Sequence, residues 1–200
     1  MNILHQEKVG LLTIKLVQDD HCECDPRGWD NLGTMACFHR RYTLGDDVTN
    51  IKKQGQYYFP DHHEFRKFAE ETKPIMLPLY LYDHSGLAMS TGSFSCPWDS
   101  GQVGWIFCPL EKACGEYSVK KVTPTIRRKV LAVLRSEVEV YTAHLEGNCW
   151  GVTICNEDGD ALDACWGYHG YKCIDWDYAL SEARAHAQVI NKELAIAPAI

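Results

Sequence analysis

Long apolar runs are missing from this 200-residue chain, and nothing in it approaches the ~20 consecutive residues of a membrane-spanning helix. The segment from Val9 to Leu16 is apolar but broken by Thr13 and Lys15, so no secretory-signal pattern is present at the N-terminus. A soluble protein of the cell interior is the expectation. An excess of basic residues is missing too. Twenty Lys and Arg stand against 27 Asp and Glu, a net charge of −7, and such a chain repels a phosphate backbone. General nucleic-acid binding is therefore not expected, whereas a partner with a basic surface suits the charge. Catalytic signatures are absent as well: there is no G-x-S-x-G, no phosphate loop of P-loop or dinucleotide type, and no H-x-E with P-C-x-x-C. The Trp-Asp pairs at 29–30, 98–99 and 176–177 do not recur at the 40–45 residues of a propeller blade.

Cysteine is plentiful. Ten cysteines without a secretory signal read as thiols or metal ligands rather than disulfides. The length fits a single domain, residues 1–200, with its own core.

Residues 9–18 read as a strand with Leu12, Ile14 and Leu16 on one face. From Asp19 to Pro60 the chain is polar, with neither a strand nor a helix period. A loop of that length is unusual and needs an organiser, and a bound metal is the expected one. Asp61 to Thr72 reads as a helix capped by Asp61, with Phe65 and Phe68 inward. Pro74 to Tyr82 is a buried strand in which Pro78 calls for a bulge or an edge. Leu87–Phe94 and Gly101–Cys108 are two more strands. The strongest helix runs from Pro124 to about Leu145, with Thr123 as N-cap, one apolar stripe from Ile126 to Leu145, and Gly147 as its stop.

A hairpin follows, with a loop at NEDGD that would set Ile154 opposite Leu162 and Trp150 opposite Trp166. The two CWG tripeptides, 149–151 and 165–167, then become cross-strand neighbours rather than a metal box. Asp175 caps a last helix to about Ile190. Residues 148–190 thus form a C-terminal hairpin plus helix. The order β-loop-α-βββ-α-ββ-α implies an α+β fold, an antiparallel sheet with helices packed on it.

Two clusters could carry chemistry. Cys22, Cys24, Cys37 and His39 form a C-x-C-x12-C-x-H arrangement, the first choice for a structural zinc site, because zinc takes four S/N ligands and its binding is folding free energy. His21 is a possible substitute. Asp83, His84 and Asp99 are the second choice: with Asp25, Asp30 or Asn31 they could surround a divalent ion or form an acid/base pair, although local turn chemistry also explains them. His62 and His63 are adjacent in a helix and point some 100° apart, so both rarely serve one ion.

The blocks DPRGWDNLGTMACFHRRYTLGD (Asp25 to Asp46) and LPLYLYDHSGLAMSTGSFSCPWDSGQVGW (Leu77 to Trp105) resemble a family of proteins encoded by phages and integrative elements, mostly of Gram-positive bacteria. The hairpin with CWGYHGY fits the same pattern. No catalytic activity comes with the resemblance. Small acidic proteins of mobile elements often block host defence, among them anti-CRISPR inhibitors of RNA-guided nucleases. The resemblance therefore implies a non-enzymatic protein in the cytoplasm of a bacterial host that binds a defence nuclease. The zinc expected from the loop's cysteine and histidine spacing would stabilise it, although Cys22 and Cys24 lie outside the two blocks. Its expected contact residues are Glu157, Asp158, Asp160, Asp163, Asp175 and Asp177, with Trp29, Tyr57 and Tyr58 as aromatic anchors. Two alternatives stand beside it: a metal-dependent hydrolase or nucleotide-processing enzyme using His39, Asp83, His84 and Asp99, and an accessory protein that binds a phage component.

Overall fold

The computed structural model describes residues 2–20, 22–49, 57–170 and 175–196. In chain order its elements are β1 (Ile3–Val9), β2 (Leu12–Gln18), β3 (Thr34–Cys37), α1 (His62–Thr72), β4 (Ile75–Asp83), β5 (Leu87–Ser90), β6 (Ser100–Cys108), α2 (Leu110–Glu116), α3 (Pro124–Leu145), β7 (Cys149–Cys155), β8 (Ala161–His169) and α4 (Asp175–Ile196). The fold is α+β, with two antiparallel four-stranded sheets rather than the one expected. The chain divides into two compact units: Met1–Asp25 with Ala143–Ile200, and Pro26–Thr142.

The first unit holds the sheet β1-β2-β7-β8. Leu12, Ile14 and Leu16 share a face as their alternation requires, and all three are fully buried. They pack with Trp150, Val152 and Ile154 and with Ala179, Leu180, Ala183 and Ala187 of α4. Each such Leu or Ile contributes about 1.5–3 kcal/mol. The segment 9–18 is not one strand, however. Gly10, at φ 64°, turns the chain, and β1 returns as an edge strand whose mixed sequence ILHQEKV carries little apolar signal.

The C-terminal hairpin also corrects the expected register. Trp150 lies opposite Tyr168, not Trp166, and Cys149 opposite His169, because register shifts fall between Trp150 and Val152 and between Ile154 and Cys155. The missing side chain of Gly151 accommodates the Trp166 ring: a Cβ there would stand 2.2 Å from it. Trp150 stacks instead on Tyr168, with ring centroids 4.8 Å apart.

In the second unit the sheet runs β3-β6-β4-β5. Asp61 caps α1, its carboxylate accepting from the N–H groups of His63 at 2.8 Å and Glu64 at 3.0 Å. Phe65 is fully buried in an aromatic cluster with Phe38, Tyr57, Phe59, Phe68 and Phe107. Thr123 caps α3 through the N–H of Ile126, and Val130, Leu134, Val138 and Tyr141 form its buried stripe. Pro78 sits where β4 is not paired by β5, beside a register shift between Leu79 and Tyr80, so an edge and a bulge both occur. Helix α2 has no side-chain cap and carries Gly115, which left it without a sequence signal.

The stretch 26–49 is organised by a cation, but the cation is a guanidinium. Arg27, with a side chain 4% exposed, donates to both carboxylate oxygens of Asp46 at 3.3 and 2.8 Å, to Glu137 at 3.2 Å, and to the Gly33 carbonyl at 2.7 Å. Glu137 in turn accepts from the N–H groups of Leu32 and Gly33, and Asp46 from that of Met35. Burial alone would lower the pKa of Arg27. The hydrogen bond and charge of Asp46, with the charge of Glu137, outweigh it and hold the group above its ordinary value.

Candidate metal centre

Within the first unit, three chain segments bring Cys22, His144, Cys149 and His169 together, with one ligand atom from each lying within 4.8 Å of all the others. Local structure fixes each residue. Helix α3 ends in a Schellman motif: the N–H of Asn148 bonds to the Ala143 carbonyl at 2.8 Å and that of Gly147 to the His144 carbonyl at 3.0 Å, with Gly147 in the left-handed region. This reversal brings His144, in the last helical turn, back toward Cys149 at the start of β7. Cys149 and His169 are cross-strand partners at the open end of the hairpin, so their side chains share a face. Cys22 arrives from the end of β2, whose ladder with β7 is extended by the bond from Asp19 N–H to the Cys149 carbonyl at 2.9 Å.

The distances suit one small cation. Cys149 Sγ lies 3.2 Å from His169 Nδ1 and 3.9 Å from His144 Nδ1, and within 4.8 Å of the Cys22 sulfur. A tetrahedral zinc with Zn–S of about 2.3 Å and Zn–N of about 2.0–2.1 Å spaces its donors about 3.4–3.8 Å apart. His169 is also oriented for the task. Its Nε2–H donates to the Cys24 carbonyl at 2.8 Å, which leaves the Nδ1 lone pair facing the cluster, as metal-bound imidazoles require.

The electrostatics agree. Burial pushes the Cys149 thiol up to about 12, and contact with Cys22 adds to the rise. Burial, with the neighbouring His144, pulls His169 below its ordinary value, which favours the neutral imidazole that a metal requires. A divalent ion held by two cysteine sulfurs and two imidazoles would displace the thiol protons. The pair Cys149–His169 with an orienting carbonyl also has the outline of a nucleophile and base. Cys149 is only 2% exposed, however, and a substrate could not reach it.

Of the first-choice ligands, only Cys22 is in this group. Cys24 contributes its carbonyl oxygen, and its exposed thiol packs at Gly167. Cys37 and His39 belong to the other unit. There Cys37 is buried on β3, its thiol pushed up to about 12 by burial and the charge of Asp46. His39 Nδ1 accepts from the N–H groups of Arg41 and Tyr42, and its ring stacks on Tyr42. His21 lies outside the described residues.

The second-choice residues satisfy other partners. Asp83 binds Arg41 and the Tyr42 hydroxyl. Asp99 accepts from the Cys96 thiol at 3.4 Å and pairs with His84 Nδ1 at 3.3 Å. No group of three or more of these residues converges on one point among the described residues.

The acids Glu157, Asp158 and Asp160 are exposed at the β7–β8 turn and Asp177 on α4, while Asp163 pairs with His186 at 2.7 Å. The side chain of Asp175 lies outside the described residues. Trp29 is 48% and Tyr58 39% exposed. Tyr57 does not project as an anchor; it packs edge-on against Phe107 with centroids 5.1 Å apart. Among the described residues the most exposed aromatic is Trp98, at 92%, which sequence reasoning passed over because it sits among turn formers.

His144, Cys149 and His169 were missed for one physical reason. Without the two register shifts Cys149 would face Gly167, and CWG then looks like paired hydrophobics. The signal available was H-x4-C across a helix stop. No protein family, curated protein or solved structure matches the chain. No helix among the described residues is long and apolar enough to cross a membrane.

Proposed function

We propose that this chain is a non-enzymatic binding protein of a phage or mobile element, stabilised by one structural zinc, that acts in the host cytoplasm by occluding a defence nuclease of the RNA-guided class. The observation that carries the zinc assignment is the Cys22–His144–Cys149–His169 cluster. Its four protein donors complete a tetrahedral shell, and a catalytic zinc would keep one position open. The site joins the segment after β2, the end of α3 and the base of the β7–β8 hairpin, so its role is to hold that hairpin in place. The exposed acids at the hairpin turn support a basic partner surface, since opposite charge accelerates encounter. The nuclease assignment itself rests on the family resemblance and the acidic balance of the chain.

The test is cleavage of a DNA target by purified RNA-guided nucleases with this protein in excess, at two salt concentrations and with zinc-loaded and chelator-stripped protein. Inhibition by the loaded form, weakening as salt rises, is the expected result. Full cleavage with every nuclease assayed removes the nuclease assignment, and elemental analysis that finds no zinc in the purified protein removes the metal.

A further inference from the structure

The two sulfurs of the metal cluster differ in a way that the four-ligand geometry does not require. Cys149 is 2% exposed, while Cys22 is only partly covered. The two sulfurs lie within 4.8 Å of each other. A partly exposed cysteine next to a buried one is the arrangement of an attacked and a resolving cysteine.

We propose that Cys22 and Cys149 form a reversible disulfide that expels the metal, making the site a sensor of peroxides; this rests on the zinc assignment above. The Cys22 sulfur, a thiolate when metal-bound, attacks one peroxide oxygen. The O–O bond breaks, Cys22 becomes a sulfenic acid, and the hydroxide that leaves is neutralised to water by a proton from the buffered solvent. The Cys149 sulfur then attacks the Cys22 sulfur, the S–S bond forms, the S–O bond breaks, and a second hydroxide leaves. Two electrons pass from the two thiolates to the peroxide, two solvent protons are consumed, and two waters result. His144 and His169 remain as the only donors, and two imidazoles do not complete a zinc shell. A thiol reductant supplies the two electrons and two protons for the return.

Other thiols compete for peroxide. Cys24 and Cys165 are exposed, and neither thiol is in the cluster. Because His169 is bonded to the Cys24 carbonyl rather than to its sulfur, Cys24→Ser keeps that contact. The experiment therefore uses the full chain carrying Cys24→Ser and Cys165→Ser. Its zinc content is measured first, then hydrogen peroxide is added with a chromogenic chelator present, and the cross-links are mapped by mass spectrometry.

The expected result is one zinc released per chain, two thiols lost, and a Cys22–Cys149 link that dithiothreitol and zinc reverse. Zinc retained while thiols oxidise elsewhere, or zinc lost with Cys22 taken to sulfinic acid and no link, overturns the switch and leaves the zinc assignment standing. Zinc absent before peroxide is added overturns both.

Discussion

Replacing Arg27 by Met tests what holds residues 26–49 together. The substitution removes a guanidinium whose side chain is 4% exposed and leaves Glu137 and Asp46, 11% and 23% exposed, facing each other without it. Each carboxylate keeps the backbone N–H groups it accepts from, which moderates the loss, but their shared counter-charge is gone. Removing one partner from such a buried pair costs about 3–5 kcal/mol. At about 2–4 °C per kcal/mol for a chain of this size, the midpoint should fall by about 6–20 °C. Calorimetry or a urea titration of zinc-loaded protein reads the effect. Zinc stoichiometry should stay at one per chain, because the cluster lies in the other unit. A triple variant, Arg27→Met with Asp46→Asn and Glu137→Gln, should recover part of the loss, since no unpaired charge then remains. A loss under 1 kcal/mol for Arg27→Met, or loss of zinc together with the melting shift, refutes the assignment of Arg27 as organiser.

Three further outcomes follow from the same structure. Cys149→Ser and His169→Ala should each weaken zinc binding by at least tenfold in a competition titration, and wild-type affinity should rise with pH because binding expels thiol protons. Gly104→Ala should cost about 1–3 kcal/mol or more in urea unfolding, because a Cβ there would lie 1.9 Å from the Ala36 carbonyl oxygen, whereas Gly86→Ala, with nothing within 4 Å, should cost far less. The Arg184 hydrogen bond holds Glu7 below its ordinary pKa of 4.5, so its contribution is present above the unfolded value and fades as pH falls through the folded one. Arg184 is 44% exposed, and Arg184→Ala should therefore cost no more than about 1 kcal/mol at pH 7 and nothing measurable at pH 2.

The elements that were legible in advance are those whose signals are local. Asp61 and Thr123 announce helix starts through their own side chains, Gly147 announces a stop through its backbone, and Leu12, Ile14 and Leu16 declare a face by spacing alone. The candidate site depended on pairings that spacing does not encode. The register of β7 against β8 is set by shifts at Gly151 and beyond Ile154, and two residues of error exchange His169 for Gly167 opposite Cys149. Arg27 was hidden for a similar reason: its partners stand 19 and 110 residues away, and an Arg among turn formers reads as surface. In the stretch expected to be fixed by a metal, the interaction described is between an arginine and two acids of its own unit. The candidate metal ligands were sought in the loop because both C-x-C and C-x-H are short motifs. Three of the four residues that could hold a metal lie instead where a helix and a hairpin begin or end.

The order in which the strands leave the ribosome differs from the order in which they pair. β2 finds its neighbour β7 only after more than a hundred intervening residues have been made, and those residues comprise a whole unit with a sheet of its own. Leu12, Ile14 and Leu16 therefore have their full set of packing partners only once β7 and the C-terminal helix, with Ala179, Leu180, Ala183 and Ala187, have been made.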